Sequence, residues 1–205
     1  MSMSRVAKMG IVSGGSFLLL ASLIYTIPER ALSLDAYVSG IAAPLQTFES
    51  VQFFLIVTAL GSGVGIIAVA IGFAYIVRLS TPAVLRLTTL LTFVLIGNRL
   101  LKDLFERERP DVLTWFDALS SYSFPSAHAS GIIALYGFIA LVWYSRMNKW
   151  YALAIPALII FLVGLSRIVL NAHHFTDVIG GYLFGLSLLS ISFLIPFEKI
   201  AKRYG

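Results

Sequence analysis

Apolar residues run along this chain in long blocks rather than in a short alternation, and the blocks set its architecture. Stretches close to the roughly 20 residues that a bilayer-crossing helix needs cover Met9 to Ile27, Phe53 to Val77, Val84 to Leu101, Ala127 to Ser145, Trp150 to Leu165 and Val178 to Phe197. They predict six transmembrane helices and an all-α integral membrane protein. Between the first two blocks the pattern changes: Leu34, Val38, Ile41, Leu45 and Phe48 recur at spacings of four and three, with Asp35, Ser39, Gln46 and Glu49 between them. That spacing describes an amphipathic helix lying in the membrane interface over residues 30–50; an ordinary ordered loop is the alternative. As a helix, it would flank a lateral opening for a lipid headgroup. Within the blocks, Gly61 and Gly65 and Gly181 and Gly185 have the small-xxx-small spacing that lets helix backbones approach. A phosphate loop is not expected at Gly61, because no Lys-Ser/Thr follows and the surroundings are apolar.

Composition agrees with the blocks. Of 205 residues, 59% are hydrophobic and 12% charged, with a mean hydropathy of +0.91, whereas a soluble domain carries about a quarter charged residues. Six spans account for nearly the whole length, so residues 1–205 are expected to form one membrane-embedded domain. Cysteine is absent, which excludes disulfides, thiol nucleophiles and cysteine-held metals. The net charge of +5 is scattered between apolar spans rather than gathered on a soluble face, so nucleic acid is not an expected partner.

Orientation follows from Lys and Arg, whose excess marks cytoplasmic loops. Arg5 and Lys8, Arg78 and Arg86, Arg146 and Lys149, and Lys199, Lys202 and Arg203 alternate with the opposite ends of the spans. Both termini are therefore expected in the cytoplasm, and Gly205 with them. The opposite, outer side holds Arg30, Arg99, Lys102, Arg107, Arg109 and Arg167. A multi-pass protein of the plasma membrane is expected, with the segment from Asp103 to Phe124 outside. Arg5 and Lys8 ahead of an apolar run also describe a secretory signal peptide; the run of about 18 residues before Pro28 exceeds the usual apolar region of one and lacks a small-x-small cleavage site. A retained helix is expected.

Candidate chemistry lies in three short pieces. Lys102 is followed after six residues by Arg109-Pro110, and two fixed cations, one a planar fork and one a point charge, suit a phosphate. Read alone, Glu106-Arg107-Glu108-Arg109 fits a solvated, self-paired charge run as well. Pro125-Ser126-Ala127-His128 stands where the fourth span begins, so free first-turn N–H groups and the Ser126 hydroxyl would cradle an anion; a plain helix cap with an interfacial histidine is the alternative. Ser166-Arg167 ends the fifth span, and His173 and Asp177 open the sixth at i, i+4, a spacing that puts both on one helix face if the helix starts early enough. A carboxylate on one ring nitrogen fixes the tautomer and leaves the other nitrogen free to attack.

Together, Lys102-x6-Arg109-Pro110, Pro125-Ser126-Ala127-His128 and Ser166-Arg167-x5-His173-x3-Asp177 resemble the type 2 phosphatidic acid phosphatase superfamily of membrane phosphatases. The matched stretch runs from Lys102 to Asp177. Ala127 stands where that family usually has glycine, which implies a changed fit with the backbone N–H kept. The doubled His173-His174 resolves by register in favour of His173. The resemblance implies that His173 is the nucleophile, forming a phosphohistidine; that Asp177 orients it; that His128 protonates the leaving oxygen and then assists water; and that Lys102, Arg109, Ser126, Ala127 and Arg167 hold the phosphoryl group. No metal or cofactor is expected, since three cations and helix N–H groups can supply the charge stabilisation that phosphoryl transfer needs.

The resemblance further implies a lipid phosphate substrate, with undecaprenyl diphosphate placed ahead of phosphatidylglycerophosphate and phosphatidate. A lipid phosphotransferase using the same phosphohistidine and a non-catalytic phosphate or lipid transporter are the readings of other classes. A transporter more often shows repeated halves and interrupted helices near the midplane. Tail length, hydrolase against transferase, and oligomeric state are not written in the sequence.

Overall fold

The computed structural model describes residues 3–110 and 121–197. Among them every element is helical: α1 Met3–Thr26, α2 Pro28–Ala42 with a 3-10 turn at Ala43–Leu45, α3 Phe48–Ala59, α4 Gly63–Ile76, α5 Thr81–Phe105, α6 Ala127–Met147, α7 Tyr151–Val169 and α8 Phe175–Leu194. The carboxyl-terminal cations Lys199, Lys202 and Arg203, Gly205, and much of the segment expected outside the membrane lie beyond the described residues.

Five helices, α1, α5, α6, α7 and α8, are long and apolar enough to cross a bilayer. The expected second span, Phe53 to Val77, is not one helix. It breaks at Leu60-Gly61-Ser62 into α3 and α4, of 12 and 14 residues. Ser62 causes the break, since its hydroxyl accepts from the Gly65 N–H at 3.0 Å and donates to the Ala59 carbonyl at 2.7 Å, capping a new helix inside an apolar run. A sixth crossing is available only as a broken one, α2 with its 3-10 turn followed by α3, bent by 113°.

The segment expected as one amphipathic helix over residues 30–50 is helical only in its first part, α2, which ends at Ala42; Leu45 falls in the 3-10 turn and Phe48 opens α3. The protein-facing side is not the predicted stripe. Ala31, Asp35 and Ala42 are buried, whereas Leu34, Ile41, Leu45 and Phe48 are exposed. The leucine-rich stripe faces away from the bundle, where an interfacial helix meets lipid.

At the centre stands α6, packed against α7 and α8, with α5 and α4 alongside and α1 against α8. Leu87, Leu90, Val94, Ile132, Leu135, Phe138, Val163 and Leu189 form the central apolar cluster. Gly181 and Gly185 bring α8 onto α6: a Cβ at Gly185 would stand 2.5 Å from the Ser130 carbonyl oxygen, and one at Gly181 2.6 Å from that of Ser126. The close-approach reading holds for this pair. It does not hold for Gly65, whose added Cβ would meet its own turn at Ala59.

Candidate active site

The last turn of α5, the first turn of α6, the end of α7 and the start of α8 meet at one end of the bundle. Each brings part of the predicted set. Lys102 lies buried in the last turn of α5, which stops at Glu106 in a left-handed conformation, φ 46°. The chain then carries Arg107 and Arg109 back over the bundle. The loop is fastened to residues 121–123, where the Ser123 N–H donates to the Arg107 carbonyl at 2.7 Å.

Two side chains of the set, Lys102 and Arg109, reach this loop, and Arg109 also reaches His173. Lys102 donates to the carbonyls of Tyr122 and Ser123. Arg109 donates to the Ser121 carbonyl at 2.8 Å and to the Ala172 carbonyl, and its Nη1 lies 3.4 Å from His173 Nε2. On the far side Arg167, buried near the end of α7, donates to the Thr58 hydroxyl of α3 at 2.6 Å.

The x5 spacing between Arg167 and His173 has a local cause. Beyond α7 the chain turns through Asn171 at φ 50°, and the Arg167 carbonyl accepts from the N–H groups of both Ala172 and His173 at 3.0 and 3.2 Å. His173 is thereby folded back beside Arg167. It precedes α8, whose cap is His174. The shared helix face expected for His173 and Asp177 is therefore not what joins them, because the helix starts too late. The contact forms across the cap: Nδ1 lies 3.5 Å from Asp177 Oδ2 and 3.3 Å from the Ser123 hydroxyl. With Nδ1 turned to the carboxylate, Nε2 is the nitrogen that faces Arg109.

Ser126 is a helix cap. It is fully buried, its hydroxyl accepts from the Ala129 N–H at 3.4 Å, and its own N–H donates to the Asp177 carbonyl at 3.0 Å. Pro125 precedes the cap, in a cis peptide with Phe124. Ala127, by contrast, is exposed, and it lines with His128 the head of a groove of about 530 Å³ that runs between α4, α5 and α6 past Ile66, Ala70, Leu91 and Leu95. Gly61 backs His128, with a Cβ there 3.1 Å from the His128 ring.

The self-paired reading of Glu106-Arg107-Glu108-Arg109 is overturned, because both arginines turn inward to other partners. Arg107 pairs with Asp177 and with Asp35 of α2, at 2.6 Å each. Arg107, Asp35, Ser123, Thr176 and Thr58 are the site residues that sequence reasoning missed. One signal was present: Asp35 stands in the row Ala31, Asp35, Val38, Ala42, a carboxylate on an otherwise small and apolar face of α2. For Ser123 there was none, since its partner lies 54 residues away.

Among the described residues, Lys102, Arg107, Arg109 and Arg167 are set against only Asp35 and Asp177 as buried or half-buried acids here. The site is therefore cationic and suited to an anion. Burial pushes the His173 imidazole down to about 3, against the pull of Asp177, so its ring is neutral near neutral pH. Burial likewise lowers His174 and Arg109, the carboxylate of Asp177 opposing it in both.

Comparison with known proteins bears on this arrangement. The sequence matches the PAP2 superfamily across residues 83–201, more than half of the chain. It is 36% identical over 113 residues to phosphatidylglycerophosphatase B of Bacillus subtilis, covering 52% of this chain and 54% of that protein. It is 35% identical over 95 residues to decaprenylphosphoryl-5-phosphoribose phosphatase of Mycobacterium tuberculosis, covering 45% of this chain and 49% of that protein. The chain thus spans about half the length of these two relatives. The fold resembles the crystal structure of a transmembrane PAP2-type phosphatidylglycerolphosphate phosphatase from Bacillus subtilis, with a TM-score of 0.78, 26% identity, and coverage of 96% of this chain and 98% of that one.

Proposed function

This chain belongs to the PAP2 superfamily, and from that membership we propose that it is an integral membrane phosphatase that removes the terminal phosphate of a lipid phosphate or diphosphate. One observation carries the reading. His173, oriented through Nδ1 by Asp177 and Ser123, has Arg109 3.4 Å from its Nε2, and His128 heads an apolar groove at the same end of the bundle, within electrostatic reach of His173, Lys102, Arg109 and Arg167.

The proposed reaction runs in two displacements. His173 Nε2 attacks phosphorus as the bond to the lipid oxygen breaks, and His128 gives that oxygen its proton. Water then attacks the phosphohistidine, His128 takes the water's proton, and inorganic phosphate leaves with His173 restored. Lys102, Arg109, Arg167 and the first-turn N–H groups of α6 hold the phosphoryl oxygens, which supplies charge stabilisation without a metal. Lys102 and Arg109 exchange their loop carbonyls for phosphate oxygens in this step.

The groove favours a long apolar tail on the leaving side, next to His128. Its polar lining is thin, Thr88, Thr92 and Asn98 among mostly aliphatic side chains, which suits an isoprenyl chain joined directly to its phosphates. Undecaprenyl diphosphate is the substrate we place first. Phosphatidylglycerophosphate is the second, favoured by the activity named for the Bacillus relative. The membrane-facing reading rests on charge: Arg78, Arg86, Arg146 and Lys149 gather at the end of the bundle remote from the site, so the cationic pocket faces outward under the positive-inside rule.

Purified protein presented with both lipids, phosphatidate and a water-soluble phosphomonoester tests the proposal. Phosphate release from a lipid, absent in His173→Ala, is the expected result. Transfer of the label to an acceptor lipid instead of water would make the protein a phosphotransferase. Full activity in EDTA is expected, and loss restored by Mg²⁺ would overturn the metal-free mechanism.

A further inference from the structure

Asp177 is held from both sides. Its Oδ2 accepts from the Ser123 hydroxyl and, at 2.9 Å, from the His174 N–H, and faces His173 Nδ1. Its Oδ1 accepts from Arg107 Nη1 at 2.6 Å. The same Nη1 donates to the Thr176 hydroxyl at 2.7 Å, while Nη2 donates to Asp35 Oδ2 at 2.6 Å. Asp35 closes the ring by accepting from the Thr176 N–H at 2.8 Å and from its hydroxyl at 2.9 Å. The Asp35 and Asp177 side chains are 2% and 0% exposed and that of Arg107 10%, so these are desolvated pairs, not rim contacts.

Burying two carboxylates and a guanidinium costs more than burying apolar groups of the same size, so anchorage of α2 alone does not account for them. The small face of Ala31, Val38 and Ala42 would pack without charge. Nor is Arg107 available to a phosphate, because both terminal nitrogens are engaged on carboxylates. What the ring fixes is the plane and charge of Asp177. A single ammonium cannot span two carboxylates and a hydroxyl as the planar fork does.

We infer that Arg107 and Asp35 are positioning residues for phosphoryl transfer: a buried bridge that holds the Asp177 carboxylate behind His173 and ties α2 to the reacting pocket. The inference rests on the reading of His173 as nucleophile. Arg107 shares the charge of Asp177, so that the carboxylate orients His173 Nδ1–H without drawing a second proton onto the ring. Asp35 in turn fixes Arg107 and the first turn of α8. The other charged or titratable groups facing the Asp177–His173 pair are Arg109 from the loop, Lys102 from α5, Arg167 from α7, His128 from α6 and His174 at the cap.

The test compares wild type, Arg107→Gln, Arg107→Lys, Asp35→Asn and the Arg107→Gln/Asp35→Asn pair, full length and in bilayer. Two readouts are taken: phosphate release from lipid phosphate, and the ¹⁵N titration of the histidine rings, of which the chain has only three. Arg107→Gln should lower kcat by about 10- to 100-fold, the scale found for groups that orient a working histidine, with KM nearly unchanged. The His173 ring should titrate at higher pH, because Asp177 is then uncompensated. Arg107→Lys and Asp35→Asn should fall between, and the pair should be no worse than Arg107→Gln alone. A merely structural role would reduce the amount of active protein and leave the His173 titration in place. Wild-type kcat with unmoved His173 resonances, or additive losses in the pair, would overturn the inference. Should Arg107→Gln not fold, Arg107→Lys and Asp35→Asn decide it by the same two readouts. Should wild type release no phosphate, the phosphatase reading fails, and the ring titration still judges the bridge.

Discussion

The three histidines are separable by what each side chain touches. His173 offers Nε2 to the pocket, His128 heads the groove, and His174 serves Asp177 through its backbone N–H, which alanine keeps. His173→Ala should therefore abolish turnover and covalent labelling together. His128→Ala should slow turnover by about 10² to 10⁴, the usual worth of a general acid or base, and still take up label from a substrate with a good leaving group. His174→Ala should keep most activity. Rapid-quench trapping of an acid-labile label, mapped by mass spectrometry, checks all three. The pH dependence of stability tests the burial of His173. Its folded value, about 3, lies below the roughly 6.5 of an unfolded histidine, so the unfolded chain binds more protons between those limits. The stabilisation is complete above about 6.5 and is lost as pH falls toward 3. Melting curves in detergent should show a smaller acid loss for His173→Gln than for wild type.

At the scale of elements, two glycine contacts have different consequences. Gly185 lets α8 reach the Ser130 carbonyl of α6, and backbone cannot swing aside. Gly185→Val should cost about 1–3 kcal/mol by overpacking and lower the melting temperature, while Gly72→Val, with nothing within 4 Å, should not. Gly61 sits in the α3–α4 break, where a methyl group would meet Val163 at 2.6 Å and the His128 ring at 3.1 Å. Gly61→Ala should lower turnover more than stability, since the ring it displaces is the proposed acid. Paired melting and kinetic measurements separate the two effects.

For the whole molecule, the prediction is one of sidedness. Arg107, Arg109 and the α6 and α8 amino ends share one end of the bundle, and Arg78, Arg146 and Lys149 the other. In this cysteine-free chain, a cysteine at the exposed Glu108 should react with a membrane-impermeant thiol reagent on intact cells, and one at the exposed Lys149 only after lysis. The reverse pattern would invert the assignment.

Block length and short motifs are local properties, and what depends on them was legible in the chain. A helix satisfies its own backbone, so an apolar run of spanning length declares itself without reference to any partner. The spacings that bring Lys102, Arg109, Ser126, His128, Arg167, His173 and Asp177 to one end of the bundle were legible for the same reason: each lies at or near the end of an apolar block. Everything that needed two distant segments was not. Ser62 breaks a block whose mean hydropathy hides its few hydroxyls. The lipid-like stripe of α2 faces outward while its single buried acid faces in, because the bundle offers Arg107 and the α8 amino terminus there. His173 meets Asp177 across a cap rather than along a helix, since the turn at Asn171 delays α8. Periodicity records which positions are apolar; which neighbour a polar side chain finds, over 72 or 141 residues, is decided only when the helices pack.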